Sequence, residues 1–437
     1  MTKRKSVPDP LEAEIEDALQ PGWLLNYGDT SGFVSELEEI AGQISKLIPT
    51  DPRRAVHLYE SFLAGCYEKA EELDDSDGDF GMFAGGLCCR WIEARQAALA
   101  NPDETATLLL DRMETDSYGF LNDISRDAAK VMNRKGLAAF ERAVKSRFDQ
   151  QGETEQKYNP WGEVLRDIYV QRNDVSAYIA LCERTEFSAE ACLALAQMLH
   201  KKRKPTEALD WVERGVALEK KHAGWSASGY QLAKMRRELF CKLGRGSEAL
   251  KEAWREFQEE PSKYSYEELM RFVPKAELTQ WRTKALDAAQ HADLSSAIEL
   301  LLETKETERL VHRIQEASSG ALEGLSHYTT EPAAKRLAKT HPDVAAKLFS
   351  ALGMRILNAG KSKYYHAALS SFEEAKCCYV RAGMGAQWET LVANIRQVHH
   401  RKHGFIGGFE RLVAVRGPSK EPSFLARARG RWLPRGS

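Results

Sequence analysis

The sequence predicts an all-α protein, an irregular TPR-like α-solenoid of stacked antiparallel helix pairs. Alanine and leucine are abundant, whereas the alternation of Val, Ile and Thr that is typical of β-strands is almost absent. Apolar residues recur with the spacing of one helix face along much of the chain. In the segment 191–220, small residues stand where the two helices of a tetratricopeptide unit must approach closely.

Composition divides the chain into four predicted parts. The sequence predicts a flexible arm over residues 1–10 and an N-terminal helical domain with an acidic loop over residues 11–150. Within that domain, helices are predicted over 11–25, 33–48, 52–73, 80–101, 103–113, 122–134 and 136–151. The polar, glycine-containing segment 150–156 predicts the boundary that follows. TPR-like helical repeats are expected over 157–410, and a basic flexible tail over 411–437.

The repeat pattern is irregular. The template of the segment 191–220 fits again over 240–261 and over 356–375, each time with small residues at the expected close approach. The equivalent alanines Ala208 and Ala249 are 41 residues apart, however, instead of the 34 residues of a regular TPR array. Stacked helix pairs usually leave a concave groove that binds other macromolecules, so the pattern favours a scaffold.

Charge is distributed unevenly along the chain. The formal net charge is −2, but residues 11–80 carry 17 Asp and Glu against 4 Lys and Arg. Residues 396–437 carry 10 Lys and Arg against 2 Glu. An acidic head and a basic tail indicate either intramolecular docking or two different partners.

A non-catalytic scaffold or adaptor that binds a protein partner is the function that the sequence favours. Aromatic side chains dominate binding hot spots, and charged loops and helix ends are accessible to partners. The candidate partner-binding residues are Asp75, Asp77, Tyr364, Tyr365, Arg396, Arg401 and Lys402. For the two tyrosines, packing between adjacent helices is the competing interpretation.

The alternative function is a nucleic-acid-associated subunit of a larger complex. Basic residues interleaved with aromatic ones can follow phosphates and stack on bases. In the C-terminal region these basic residues are Arg411, Arg416, Arg427, Arg429 and Arg431. The other interpretation of the same segment is a tail that contacts the acidic N-terminal region.

No cofactor, metal or catalytic residue is expected. The acidic loop 73–79 has leucine at the first position of an EF-hand and alanine at the twelfth, so it does not match a calcium loop. The segment 358–362 contains only half of a phosphate-binding loop, and Gly360 is expected to end a helix there. His399 and His403 lie one helical turn apart but lack a third ligand.

The sequence predicts a cytoplasmic protein without a membrane span. No apolar run approaches the roughly 20 residues that cross a bilayer, and the basic start is not followed by a signal-type apolar stretch. The eight cysteines include no C-x-x-C pair, which favours buried thiols that act as small apolar side chains.

Three short motifs carry a family resemblance. They are the acidic run 74–79, the pair Gly244-Arg245 with Glu248-Ala249, and the stretch from Lys363 to Lys402 with its Tyr379, Trp388 and Arg396. Together they resemble an uncharacterised bacterial helical-repeat family that includes the helical region of SWIM zinc-finger proteins. The resemblance covers roughly residues 50–410. The cysteine and histidine pattern of the SWIM finger is absent from the sequence, so the resemblance implies no zinc site.

Overall fold

The computed structural model describes residues 9–20, 27–150, 159–220 and 226–414, with side chains described from residue 30 onward in the second range. These residues form twenty-three α-helices joined by short turns and 3-10 segments, without a β-strand among them. The all-α, TPR-like fold class is thereby confirmed. None of the helices in the described ranges combines the length and the apolar character that crossing a bilayer requires.

The chain separates into two compact units, residues 1–244 and 245–437, which are called unit 1 and unit 2 below. Unit 1 contains α1 (Pro10–Ala18), α2 (Tyr27–Ser45), α3 (Pro52–Lys69), α4 (Asp79–Ala97), α5 (Pro102–Thr115), α6 (Ile124–Val131), α7 (Arg134–Asp149), α8 (Pro160–Arg172), α9 (Val175–Arg184), α10 (Ala189–Lys201), α11 (Pro205–Glu219) and α12 (Ala227–Lys242). Unit 2 contains α13 (Gly246–Glu259), α14 (Lys263–Phe272), α15 (Leu278–Ala288), α16 (Leu294–Glu303), α17 (Thr307–Glu316), α18 (Ser319–Gly324), α19 (His327–Leu337), α20 (Pro342–Ala359), α21 (Tyr365–Arg381), α22 (Gly385–His399) and α23 (His403–Ala414).

The hydrophobic core of unit 1 is continuous across the polar segment 150–156. Buried apolar residues from Ile15 to Met198 belong to one cluster, and α7 and α8 pack against each other on either side of that segment. The segment 150–156 therefore lies inside unit 1, while the division between the two compact units falls after Gly244.

Small residues lie at close helix contacts, and one of them, Gly215, is in the segment 191–220 where the repeat pattern predicts them. In α11, a Cβ atom added to Gly215 would lie 2.9 Å from the side chain of Leu232. In α20, a Cβ atom added to Gly353 would lie 2.5 Å from Cζ of Phe372. Pro205 begins α11 as expected, because the first helical turn tolerates a residue without an N–H group.

Three sequence-based predictions need correction. The first helix ends at Ala18, with Leu19 as its C-cap, instead of at residue 25. The second helix begins at Tyr27 instead of residue 33. Among the cysteines, Cys241 is exposed, so it does not act as a buried apolar side chain.

Candidate partner-binding surface

A groove lies between α1 and α3 of unit 1. It has a volume of about 900 Å³ and is lined by Glu12, Ile15, Glu16, Leu19, Gln20, Ser61, Gly65, Glu68, Lys69 and Glu72. This set of residues is called the acidic groove below.

An ion pair fixes one end of the acidic groove. Asp9 is the N-cap of α1, where its side chain accepts a hydrogen bond from the Leu11 N–H. Both carboxylate oxygens of Asp9 also accept hydrogen bonds from Arg54 of α3, at 2.6 and 2.8 Å. These bonds to Arg54 hold the pKa of the Asp9 carboxyl below its ordinary value. The pair therefore joins the start of α1 to the first turn of α3.

Apolar contacts form the floor of the groove. Ile15 and Leu19 of α1 are almost fully buried, with 3% and 6% of their surface exposed. Gly65 of α3 has no side chain, and a Cβ atom there would clash with Cδ1 of Leu19. The two helices therefore approach closely at this point, and the groove narrows over an apolar base.

Carboxylates dominate the rim. Glu12, Glu16, Glu68 and Glu72 stand around the apolar floor, and the single cation in the lining is Lys69. The Lys69 side chain is buried, and its Nζ lies 2.6 Å from Oε2 of Glu72. Four carboxylates with one ammonium give the rim a negative charge, which attracts cationic groups and steers their approach.

The acidic loop next to α3 serves first as a helix cap. The Asp75 carboxylate accepts hydrogen bonds of 2.9 Å from the N–H groups of Phe80 and Gly81, at the start of α4. Asp77 lies exposed in the turn, which closes at Gly78 with a φ of 76°. Over the described residues, no group of three or more His, Cys, Asp or Glu side chains is placed to hold a metal ion.

An aromatic cluster near the end of α3, formed with residues from the connection between α5 and α6, was not singled out by the sequence. Tyr67 and Tyr118 pack around Phe120, with ring centroids 5.2 and 5.6 Å from that of Phe120. The Tyr118 hydroxyl donates to the Glu71 carboxylate at 3.0 Å and the ring is 41% exposed. This partly exposed ring adds a candidate anchor beside the acidic end of α3. Its signal in the sequence, one tyrosine in a polar loop, is indistinguishable from ordinary loop composition.

The candidate residues of the sequence analysis in unit 2 serve different purposes. Tyr364 is 44% exposed, whereas Tyr365 is buried and packs edge-to-face against Phe405 at 5.8 Å. Tyr365 is therefore part of the core, in agreement with the competing interpretation of that residue. Arg396 forms a bidentate ion pair with Glu410, at 2.8 and 2.6 Å.

The basic residues near the end of unit 2 are partly occupied by the fold. The Lys402 ammonium donates to the Leu357 carbonyl at 2.7 Å, and Arg401 is exposed. Arg411 is exposed and bonds to the Gly407 carbonyl at 3.3 Å. Four other residues of the proposed nucleic-acid surface lie outside the described residues, namely Arg416, Arg427, Arg429 and Arg431.

The two histidines lie in different environments, and the glycine of the half phosphate loop has a structural role. His399 is buried, with 5% of its surface exposed, and burial together with the nearby Lys402 charge lowers its pKa. His403 is exposed, so the two imidazoles differ in environment. Gly360 ends α20 with a φ of 68°, which confirms its predicted role as a helix C-cap.

The thiols are unsuited to nucleophilic chemistry at neutral pH. Burial raises the pKa of Cys88 to about 12 and that of Cys89 to about 11. The pKa is also raised by burial for Cys66, Cys182, Cys192, Cys377 and Cys378. The thiolate is the nucleophile, and burial disfavours it at each of these positions.

Comparison with known proteins identifies a family and a set of loosely similar folds. The model of a family of unknown function, DUF6880, matches residues 23–407. Among curated proteins, no significant match is found.

Several solved structures align over most of the chain at low identity. The structure of Naa15/Naa10 bound to HypK-THB is 10% identical, with a TM-score of 0.26, and the alignment covers 93% of this chain and 71% of that one. The human IFIT1 dimer with PPP-AAAA is 9% identical, with a TM-score of 0.23, covering 91% and 99%. A circular tandem repeat protein is 12% identical, with a TM-score of 0.20, covering 92% and 97%. With TM-scores this far below one half, no property of these proteins is transferred to the chain.

Proposed function

The chain belongs to the DUF6880 family, and we propose that it is a non-catalytic scaffold or adaptor that binds a basic segment of a protein partner in the acidic groove. The observation that carries the proposal is the combination of an apolar floor, Ile15 and Leu19, with a rim of four glutamates. An apolar floor alone would favour any hydrophobic segment, whereas the rim selects a segment that also carries Lys or Arg.

An amphipathic helix is the form of partner segment that fits such a groove best. Helix-in-groove recognition places apolar side chains at helical spacing on an apolar floor. Lysine or arginine side chains at the edges of that helix would reach Glu16 on one wall and Glu68 on the other. The rim charge would accelerate association and make binding sensitive to salt, since exposed charges are screened over a distance of about 10 Å.

The chemistry of the described residues supports a binding role over a catalytic one. The cysteine thiols have raised pKa values, exemplified by Cys88 and Cys89. Fold and family name no reaction, and a helical repeat presents its function through surfaces. A cytoplasmic location and a relationship to the helical region of SWIM proteins are further parts of this proposal.

A capture experiment with matched charge reversals tests the proposal. Tagged full-length protein is incubated with native-host lysate, with and without nuclease, and captured proteins are quantified by mass spectrometry. The groove variant carries Glu16→Lys and Glu68→Lys, and the control variant carries Glu36→Lys and Glu39→Lys on the exposed surface of α2. Thermal unfolding confirms that both variants are folded.

The proposal expects a protein that the wild type and the control variant capture and the groove variant loses, with or without nuclease. A partner retained equally by both variants would contradict the acidic groove as its site. Partners that disappear with nuclease, together with recovered nucleic acid, would instead favour the alternative function through the basic C-terminal region.

A further inference from the structure

Two tryptophans of unit 2 form a corner around an ammonium group. Trp254 of α13 and Trp281 of α15 have ring centroids 5.4 Å apart and ring planes at 75°. Nζ of Lys284 lies 4.3 Å from the Trp254 centroid and 4.0 Å from the Trp281 centroid. Both distances are within the range of a cation–π interaction, for which tryptophan is the strongest aromatic partner. Both indoles therefore attract the same charge.

The corner is held by contacts on its far side. The fully buried Phe257 stacks on Trp254, with a centroid separation of 5.9 Å. The indole N–H of Trp281 donates to the Glu277 carboxylate at 3.0 Å. Glu277, Trp281 and Lys284 are spaced by four and three residues, which places them on one face of α15. The indole orientations are thus set by the core and by a hydrogen bond, independently of the lysine.

Lys284 is the cation that lies against both rings of the corner. The two tryptophans are partly exposed and Lys284 is exposed. Over the described part of the chain, the Lys284 ammonium has no carboxylate within ion-pair distance. Its position is therefore fixed by the two rings, and a long, flexible side chain can leave at small cost.

A second cation–aromatic cluster, in unit 1, differs from this corner in the angle between its two rings. Arg214 lies over Phe187 and Trp211, at 3.8 and 5.0 Å from their centroids. The two rings there are stacked, with planes at 24°, so their faces do not converge on one point. A flat guanidinium matches that surface, whereas the perpendicular tryptophans of unit 2 surround a compact, roughly spherical cation.

We propose that Trp254 and Trp281 form a binding site for a compact alkylammonium group, best a trimethylammonium group, and that Lys284 occupies this site as an intramolecular stand-in until such a ligand displaces it. Methylation weakens hydration of an ammonium and spreads its charge over methyl groups that contact the ring faces, so aromatic corners recognise it. The group can come from a methylated lysine of a protein or from a small quaternary ammonium compound.

Binding of choline and of a trimethyllysine peptide to the full-length protein tests the proposal. Proton NMR reports the contact directly, because N-methyl protons over an indole face shift upfield, and calorimetry gives the affinity. Lys284→Met removes the competing ammonium and should tighten binding of either probe on the order of tenfold. Trp281→Leu should abolish the upfield shift. Lys335→Met, at an exposed lysine elsewhere in unit 2, should leave binding unchanged.

The neutral carbon analogue of choline, in which a tert-butyl group replaces the trimethylammonium group, separates a cation site from a merely apolar one. Weak or absent binding of this analogue supports the proposal, and binding equal to that of choline overturns it. Absence of an upfield shift with the Lys284→Met variant also overturns it. Stronger binding of the peptide than of choline identifies a protein side chain as the source, and the reverse identifies a small molecule.

Discussion

Units 1 and 2 hold their helices together by different polar contacts. In unit 1 the prevailing contact is an ion pair between an arginine and a carboxylate of another helix or its cap, as in Arg54–Asp9, Arg90–Glu38, Arg142–Asp103, Arg147–Glu114 and Arg184–Asp149. In unit 2 a lysine or arginine more often reaches the carbonyls at a helix end, as in Lys347–Ala317, Lys376–Leu412, Lys402–Leu357, Arg381–Ala338, Arg313–Ala292 and Arg282–Thr304.

The difference has consequences for stability and for function. A carboxylate titrates and an exposed ion pair is screened by salt, whereas a carbonyl at a helix end keeps its partial negative charge at every pH. The carbonyl contacts also satisfy acceptors that the end of a helix leaves without partners. The arginines of these unit 1 ion pairs are engaged with carboxylates outside the groove lining, and the rim of the acidic groove is left with Lys69 as its one cation. Glu72 pairs with Lys69 and Glu12 contacts Ser61 and His57, so the rim charge that is available to a partner is that of Glu16 and Glu68.

The largest expected effect concerns Lys347. Its ammonium donates to the carbonyls of Ile314, Gln315 and Ala317, at 3.0, 3.0 and 2.5 Å. We expect Lys347→Met to lower the free energy of unfolding by about 2–3 kcal/mol, since charge-assisted bonds to otherwise unpaired carbonyls are lost. Urea unfolding measures the loss, and hydrogen exchange locates it in α17 and α20. An effect no larger than that of the exposed control Lys335→Met would contradict the comparison.

A smaller effect is expected where a glycine meets a ring. We expect Gly353→Ala to destabilise unit 2 by about 1 kcal/mol, because overpacking against Phe372 outweighs the gain in helix propensity. Phe372 is itself held between Phe405 and Phe409 and cannot move aside.

The matched variant in unit 1 is Gly65→Ala, whose Cβ meets the flexible end of Leu19. Leu19 can change rotamer, so this variant should be neutral or slightly stabilising in thermal unfolding. Equal destabilisation by Gly65→Ala and Gly353→Ala would contradict this prediction, because it would mean that Leu19 is held as rigidly as Phe372.

A pH effect near neutrality is expected from the buried His399 of unit 2. Burial lowers the pKa of His399, so the unfolded state takes up the proton first as the pH falls. The stability that His399 contributes is present above its unfolded pKa of about 6.5 and is lost below it. Between about pH 7.5 and about pH 5.5 the wild type should therefore lose stability. His399→Leu should lose less, and His57→Leu, at an exposed position of unit 1, should behave as the wild type.

The smallest effect is expected from salt. Raising NaCl from about 50 mM to about 500 mM screens exposed ion pairs and should weaken each by less than about 0.5 kcal/mol. Amide exchange should therefore accelerate slightly in α5 and α7, which are joined by Arg142 and Arg147. It should change less in α17 and α20, where Lys347 bonds to carbonyl groups. Equal acceleration in both pairs would remove the electrostatic distinction between the units.

The sequence was sufficient for the fold class because helical periodicity and small residues are local signals. Pro205 and Gly360 are examples, since Pro205 begins α11 and Gly360 ends α20 as their residue types predict. The division between the two compact units after Gly244 could not be predicted, because it depends on which helices pack into the same core. Packing of this kind leaves no mark in the composition of the sequence.

The acidic groove was visible only as an excess of negative charge in residues 11–80. Which glutamates line it depends on how closely α1 approaches α3 at Gly65, and a tertiary contact of this kind has no periodic signature. The Trp254–Trp281 corner was missed for the same reason, since its two rings are 27 positions apart in the sequence. Tyr364 and Tyr365 show a second limit of the sequence. The two rings are adjacent in the chain, yet Tyr364 is exposed and Tyr365 is buried.

Zero-length cross-linking of the captured complex tests the central claim most directly. A carbodiimide joins a carboxylate to a lysine amine only where the two are in contact, and mass spectrometry identifies both residues. The acidic groove predicts links from lysines of the partner to Glu12, Glu16, Glu68 or Glu72. Links from the partner confined to carboxylates of unit 2, with the groove glutamates unlinked, would contradict it.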